Sequence, residues 1–463
     1  MKILLIQPAG FHGGAIHHYM PPLGIATLAA VLRENGFSEV EIIDFRTEET
    51  WARRKELIRA AAPDLVGITA MTPNFPAASD VARFCKTELR VPVVYGGAHP
   101  SGDPENVLRF GSADAVLAGY SDRNFLLLCK ALEAGGKIGD APGAITLGPK
   151  GGLRVNSAPP NFPLDEIPPP ARDLLHMSEY TTYIDSPVFG RIDANTLAAS
   201  RGCAYNCNFC VSASFERWQG RSPGLVCDEI ELLLMDYPQP GLLFYDLLFT
   251  VSPEWVRALC EEMVRRGLDK LKWYAMGRLT VVDAPTLEAM RRAGCALISY
   301  GVESLDDAAL SAIGKDQTYE QIERGIRLTY EAGITPMAHF IVGLPGQTED
   351  DLFKELETVE RWIKDYHFYP GDFYPTMVFP GTPLFKSLPQ WQNHNWLNTV
   401  SPGFIFPNVP LYTDLIPPER ALELSDILNE RCRNLLAGTS NIYNTQVRRR
   451  AAGGATHGNG DAD

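Results

Sequence analysis

Short, unbroken apolar runs alternate with amphipathic stretches through the first third of the chain. Residues 3–7, 40–44, 65–69, 91–95 and 115–118 are rich in Val, Ile and Leu without polar alternation, which predicts strands covered on both faces. Residues 23–35, 50–61, 77–88, 104–110 and 122–133 repeat apolar positions at helical spacing, and Gly36 supplies the stop expected after the first helix. Five βα units of this size predict a flavodoxin-like, doubly wound α/β domain over residues 1–135.

The rhythm then breaks. Residues 144–147 and 153–156 flank a Gly-Pro-Lys-Gly-Gly turn, a hairpin signal, and prolines at 159, 160, 163 and 168–170 follow. Residues 136–194 therefore read as a hairpin and a Pro-rich linker. From residue 195 the alternation returns, with strands expected at 196–200, 242–245, 272–276, 297–301, 337–342 and 373–378. Helical patterns fall at 225–236, 253–266, 284–293, 306–313, 319–332 and 349–365. Six such units predict a partial (β/α)6 barrel of the TIM type over residues 195–385, with its site at the strand C-terminal ends. Residues 386–445 read as a short, mostly helical extension, and 446–463 as a disordered tail of Gly, Ala, Asn and Asp.

Composition mostly excludes. The 463 residues are 45% hydrophobic and 21% charged, an ordinary globular balance. A net charge of −14 argues against a nucleic-acid partner, and the basic run at 448–450 is too short to alter that. No apolar stretch reaches transmembrane length, and the run at 3–6 is far shorter than a membrane span and lacks a signal-peptide cleavage site, so a cytoplasmic protein without stable membrane insertion is expected. Nine cysteines are too sparse for a disulfide framework.

Three of them are clustered. Arg201-Gly-Cys-Ala-Tyr-Asn-Cys-Asn-Phe-Cys210 places Cys203, Cys207 and Cys210 at spacings of four and three, just after an expected strand. Thiolates at this spacing suit one face of an iron–sulfur cube or zinc. Structural zinc normally takes a fourth Cys or His, and none stands nearby in paired spacing. The other six (Cys85, Cys129, Cys227, Cys260, Cys295, Cys432) fall mostly in helix or strand patterns and read as small core residues. Further along, Asp246, Arg278 and Glu303 each follow an expected strand, where acids and bases converge on a barrel mouth; a structural ion pair between Glu303 and Arg278 is the plainer alternative.

The Cys-x3-Cys-x2-Cys loop resembles the signature of the radical S-adenosylmethionine (SAM) superfamily. That resemblance implies a [4Fe–4S] cluster on Cys203, Cys207 and Cys210, with SAM chelated at the open iron. Phe209 takes the aromatic place whose backbone meets the adenine. Phe244-Tyr-Asp246, Arg278, Gly301-Val-Glu-Ser304, Lys315 and Phe340-Ile-Val-Gly-Leu-Pro-Gly-Gln-Thr348 resemble the family's strand-end motifs, which implies SAM contacts at Asp246, Arg278, Glu303, Ser304 and Gly343. Phe379-Pro-Gly-Thr-Pro-Leu384 resembles the motif that closes the barrel. One departure is Leu247, where the subgroup often has a second adjacent acid.

The N-terminal domain resembles the cobalamin-binding domain fused to many such enzymes, the class B methyltransferases among them, and residues 163–175 resemble their interdomain linker. Its small-residue loops imply cobalamin contacts at Gly24, Thr69, Ala70, Met71, Thr72, Gly96, Gly97, His99, Gly119 and Tyr120. No Asp-x-His-x-x-Gly motif is present, so a base-off cobalt without a protein imidazole is implied, with loop 69–75 beneath the corrin. His99 is either a contact to the nucleotide tail or a solvated loop residue. His12, His17 and His18, beside Gly13-Gly14, suggest a metal site or, more plainly, a loop over the cofactor. The usual acidic turn is replaced by Gly119-Tyr-Ser-Asp122.

The resemblance thus implies a cobalamin-dependent radical SAM enzyme. It would methylate an unactivated carbon of a small molecule, of natural-product, lipid or tetrapyrrole type, through a 5′-deoxyadenosyl radical and methylcobalamin. An external electron donor of flavodoxin or ferredoxin type is implied. Two rivals stand beside this: non-methylating chemistry on the same scaffold (oxidative cyclisation, ring contraction or rearrangement), and a non-catalytic cobalamin or redox sensor. Trp391, Trp396, Phe404 and Phe406 are read as either a cap over the barrel or core. No proton-transfer residue is legible.

Overall fold

The computed structural model describes residues 1–9, 20–46, 50–186, 189–215, 217–391, 394–398, 411–412 and 414–439. The chain divides into two compact units that do not follow its linear order. Residues 1–182, 200–225 and 377–410 form the first, and residues 183–199, 226–376 and 411–463 the second.

The first unit is built on strands β1 (Ile3–Gln7), β2 (Val40–Asp44), β3 (Leu65–Thr69), β4 (Val93–Gly96), β5 (Ala115–Leu117), β6 (Ala144–Leu147) and β7 (Leu153–Val155). They lie in the order β2-β1-β3-β4-β5-β6-β7. The first five are parallel; β6 pairs antiparallel with β5, and β7 antiparallel with β6 as the expected hairpin. Ile3 to Ile6 are at most 1% exposed, because helices cover both faces of the strand. Helix Leu23–Glu34 sends Ile25, Ala29 and Leu32 into a core with Leu5, Val94, Leu117 and Phe125. The order reverses at β1, the topological switch point beyond whose strand C-termini open α/β sheets take ligands. β4 starts two residues later than the apolar run suggests: Pro92 has no N–H for a ladder, and Cys85–Leu89 winds as a wide π-turn before it.

The described residues of segments 200–225 and 377–398 belong to this same unit. Strands β10 (Ser200–Arg201) and β11 (Gln219–Gly220) pair antiparallel and close the cysteine loop between them. The Leu384 N–H donates to the Asn208 carbonyl at 2.8 Å. Gly381 and Gly102 meet backbone to backbone, where a Cβ at Gly381 would stand 2.5 Å from Gly102 Cα.

The second unit holds β8 (Tyr183–Ser186), β9 (Gly190–Leu197), β12 (Gly241–Phe244), β13 (Lys272–Gly277), β14 (Cys295–Glu303), β15 (Thr335–Val342) and β16 (Tyr369–Pro375), in the order β16-β15-β14-β13-β12-β9-β8. The six strands from β9 to β16 run parallel, as a partial (β/α)6 barrel requires. β8 adds an antiparallel edge, so strand structure begins inside the stretch read as linker. β16 begins at Tyr369 rather than 373, since Pro370 and Gly371 disguise it. Side-chain caps start the helices after the strands: Ser252, Asp283, Asp306, Thr318 and Thr348 each accept a hydrogen bond from the helix's first turn. Phe340 and Phe373 stack at 4.6 Å across β15 and β16. Helix Pro418–Thr439 is tied to β16 by Ser425 Oγ and Asn429 Nδ2, both donating to the Phe373 carbonyl. Among the described residues no helix is long and apolar enough to cross a membrane.

Candidate active site

The three loop thiols lie in the first unit. Cys207 is buried, while Cys203 and Cys210 are half-buried, and none of the three is in a disulfide. Gly202, at φ +79°, supplies the left-handed step before Cys203. The Cys210 N–H donates to the Cys207 carbonyl at 3.2 Å, and Cys210 Sγ lies 3.0 Å from Ser212 Oγ. The six other cysteines are buried, as expected of core residues. Burial pushes Cys85, Cys129, Cys227, Cys260 and Cys432 up to about 12, and Cys295 well above its usual range. Such thiols stay protonated, whereas Cys203, Cys207 and Cys210 share one loop and two of them keep access to solvent. Among the described residues no three Cys, His, Asp or Glu side chains gather where one metal ion could sit. Three thiols on one short loop suit an iron–sulfur cube, which takes one thiolate per iron. Phe209 stands half-buried beside Cys210.

In the same unit loop 69–72 follows β3, Gly97 follows β4 and Gly119 follows β5, at the C-terminal ends of these strands. Gly24 and Gly96 carry no left-handed φ, and no neighbour approaches within 3.4 Å of a Cβ built on either. Neither conformation nor packing demands glycine there. Gly97 is different: at φ +99° its missing Cβ would stand 2.6 Å from the Ala70 carbonyl. That contact locks loop 69–72 against the end of β4. Ala70 and Thr72 are buried, Thr69 is half-buried and Met71 is exposed. His99 is not a solvated loop residue: it is 1% exposed. Its Nδ1 lies 3.1 Å from Thr72 Oγ1, its ring packs 4.4 Å from Phe75, and Nε2 is buried without a partner. Burial drives its pKa down to about 3, so the ring is neutral. His12, His17 and His18 lie outside the described residues, as do Phe404 and Phe406. Trp396 is core, fully buried, with Nε1 donating to Asp103 at 3.1 Å and its ring 5.5 Å from His99.

Sequence reasoning missed the groups that join these strand ends to the cysteine loop. Arg201 Nη1 meets Asp122 at 2.5 Å, and the Gly202 N–H donates to the Tyr120 hydroxyl at 3.1 Å. Asp122 opens a helix, where an acid is unremarkable, and nothing in the sequence marks its partner 79 positions away.

The second unit carries the strand-end residues. Asp246, 2% exposed, accepts the Ala199 N–H at 3.2 Å, whereas Leu247 beside it is 44% exposed; no second carboxylate is offered there. Arg278 is buried, with Nε donating to Thr280 Oγ1 and Nη2 to the Asp316 carbonyl, both at 3.1 Å. Glu303 sits at φ +69° on a bulge where β14 meets β15, and its carboxylate pairs with Lys315 at 2.7 Å. A Cβ on Gly301 would overlap that carboxylate and stand 3.0 Å from Lys315 Nζ. Non-glycine residues rarely hold such a φ, and strain of this kind clusters at ligand clamps. Ser304 is fully buried, and its hydroxyl donates to Glu355, so its side chain is spent internally. Burial raises Glu355 to about 7. Gly343, at φ +83°, donates its N–H to Gln347 Oε1 at 2.8 Å. A further polar group was not foreseen: His339 Nδ1 accepts the Asp372 N–H at 3.2 Å, and the Tyr374 hydroxyl donates to Asp372 at 2.8 Å.

A family profile described as "B12 binding domain" matches residues 12–127, and one described as "Radical SAM superfamily" matches residues 197–359. The chain is 32% identical to an uncharacterized methyltransferase, PH0819, of Pyrococcus horikoshii over 83% of each chain. It is 31% identical to the anaerobic magnesium-protoporphyrin IX monomethyl ester cyclase of Rubrivivax gelatinosus, over 79% of this chain and 66% of the cyclase. Its fold superposes on the radical SAM methyltransferase TsrM of Kitasatospora setae, solved with cobalamin and a [4Fe–4S] cluster, with a TM-score of 0.73 at 20% identity, covering 99% of this chain and all of the other. The three loop thiols, the strand-end glycines and these likenesses agree, and the chain belongs to the cobalamin-binding enzymes of the radical SAM superfamily.

Proposed function

We propose that this enzyme transfers a methyl group to an unactivated carbon of a small-molecule substrate. The observation that carries the reading is the composition of the first unit: the cysteine loop packs in one body with the glycine-lined edge of the flavodoxin-like sheet. When bound, the cluster with SAM supplies a 5′-deoxyadenosyl radical, and cobalamin carries the methyl group. The chain's own residues then bind, orient and exclude water. Cys203, Cys207 and Cys210 would hold the cluster. Asp246, Arg278, the strained Glu303 and the Gly343 turn position SAM, with Phe209 offering backbone to its adenine. Ser304 contributes through its backbone, since its hydroxyl is engaged by Glu355. Gly24, Gly96, Gly97, Gly119 and Tyr120, with loop 69–72, hold cobalamin. His99 would support that loop through Thr72. We assign residues 1–135 to cobalamin and 195–385 to the radical chemistry. An electron donor of flavodoxin or ferredoxin type in a reducing cytoplasm would feed the cluster.

Incubation of the reconstituted enzyme with methyl-labelled SAM and substrate tests the reading; the product should carry the label. One observation favours a second reading, cyclisation without methyl transfer: the 31% identity to the ester cyclase. Product mass separates them, since methylation adds one CH2 unit and cyclisation does not.

A further inference from the structure

We infer that Tyr120, Asp122 and Arg201 are positioning residues that make the cysteine loop respond to cobalamin. The inference rests on the cofactor assignment above and concerns the first unit alone. At one end of the network, Ser101 Oγ donates to the Gly97 carbonyl at 2.7 Å and accepts the Gly119 N–H at 2.9 Å. One serine thus ties together the two left-handed glycines of the proposed cobalamin edge. The next residue, Tyr120, accepts the Gly202 N–H at 3.1 Å, and its ring lies 5.2 Å from the Arg201 guanidinium and 5.4 Å from Phe215. Two residues on, Asp122 receives Arg201 Nη1 at 2.5 Å and Asn161 Nδ2 at 2.9 Å.

These bonds fall on residues 201 and 202, immediately before the first thiol ligand. The Asp122 side chain is 5% exposed and that of Arg201 19%, so the pair is shielded from solvent, and losing one partner strands the other's charge. Peptide N–H, phenol and ion pair together fix the direction in which the chain enters the cysteine loop. Cobalamin seated on Gly97, Gly119 and Tyr120 touches the network at one end, and Cys203 stands at the other. Binding at the first end therefore shifts the free energy of the second, and the effect is reciprocal.

The test compares the rate at which an iron chelator strips the cluster from anaerobically reconstituted enzyme, with and without bound aquacobalamin. No reductant is needed and turnover is not read. The wild type should lose iron about fivefold more slowly when cobalamin is bound. Tyr120→Phe, which removes one oxygen, and Asp122→Asn should bring that ratio close to one at equal iron and cobalamin content. Arg201→Lys, which keeps the charge, should recover part of it. A wild-type ratio of one overturns the inference, and so do variants that keep the full ratio. Should Asp122→Asn fail to load, Tyr120→Phe carries the comparison. A wild type that binds no iron or no cobalamin instead defeats the cofactor assignment on which the inference rests.

Discussion

Several single residues hold positions that their chemistry alone would not choose. Glu303 adopts a left-handed backbone, and Gly301 stays bare so that the Glu303–Lys315 pair fits above it. Gly301→Ala should displace the pair and weaken SAM binding about tenfold, a loss of about 1.4 kcal/mol, with iron content unchanged; equilibrium dialysis with SAM measures it. Gly97→Ala meets both a forbidding φ and the Ala70 carbonyl. It should lower stability by about 2 kcal/mol, read from the denaturant midpoint. His99 has a pH signature. The folded ring refuses a proton until about 3, whereas the unfolded ring takes one near its usual 6.5. Its contribution to stability is therefore complete above 6.5 and lost as pH falls through that window. Denaturant midpoints of the wild type should fall more steeply over this range than those of His99→Asn; parallel curves would contradict the burial argument.

At the scale of elements, what the sequence made legible is what periodicity encodes. The continuous apolar runs of β1, β3 and β5 identified parallel strands, and strand-end polar residues located Asp246, Arg278 and Glu303. Elements whose composition contradicts their state were misplaced. β16 holds Pro370 and Gly371, and β8 and β9 follow a Pro-rich stretch that reads as loop. Long-range partners were illegible for a different reason: no local pattern links Asp122 to Arg201, or Trp396 to Asp103 and His99. Trp396 also shows that an aromatic-rich extension need not cap a barrel, since its indole closes the core of the first unit. Trp396→Ala should destabilise the protein by about 3–5 kcal/mol through the cavity left and the loss of Asp103's partner, visible in thermal unfolding.

For the whole molecule, the interleaved units explain why chemistry and chain order part company. The cysteine loop follows β9 in sequence yet belongs with the flavodoxin-like sheet. Cofactor type was readable because it rests on motifs in which few residues must recur at fixed spacing. Substrate identity was not, because no comparable spacing encodes it. The central claim is that three thiolates of one loop carry the cluster on which all the chemistry depends. Its most direct measurement is iron and sulfide per chain in anaerobically reconstituted protein, wild type against the Cys203→Ser, Cys207→Ser and Cys210→Ser variants. The account predicts about four of each in the wild type and a colourless, nearly iron-free protein in every variant. Iron that persists undiminished in the variants, or a wild type that takes up none, would contradict it.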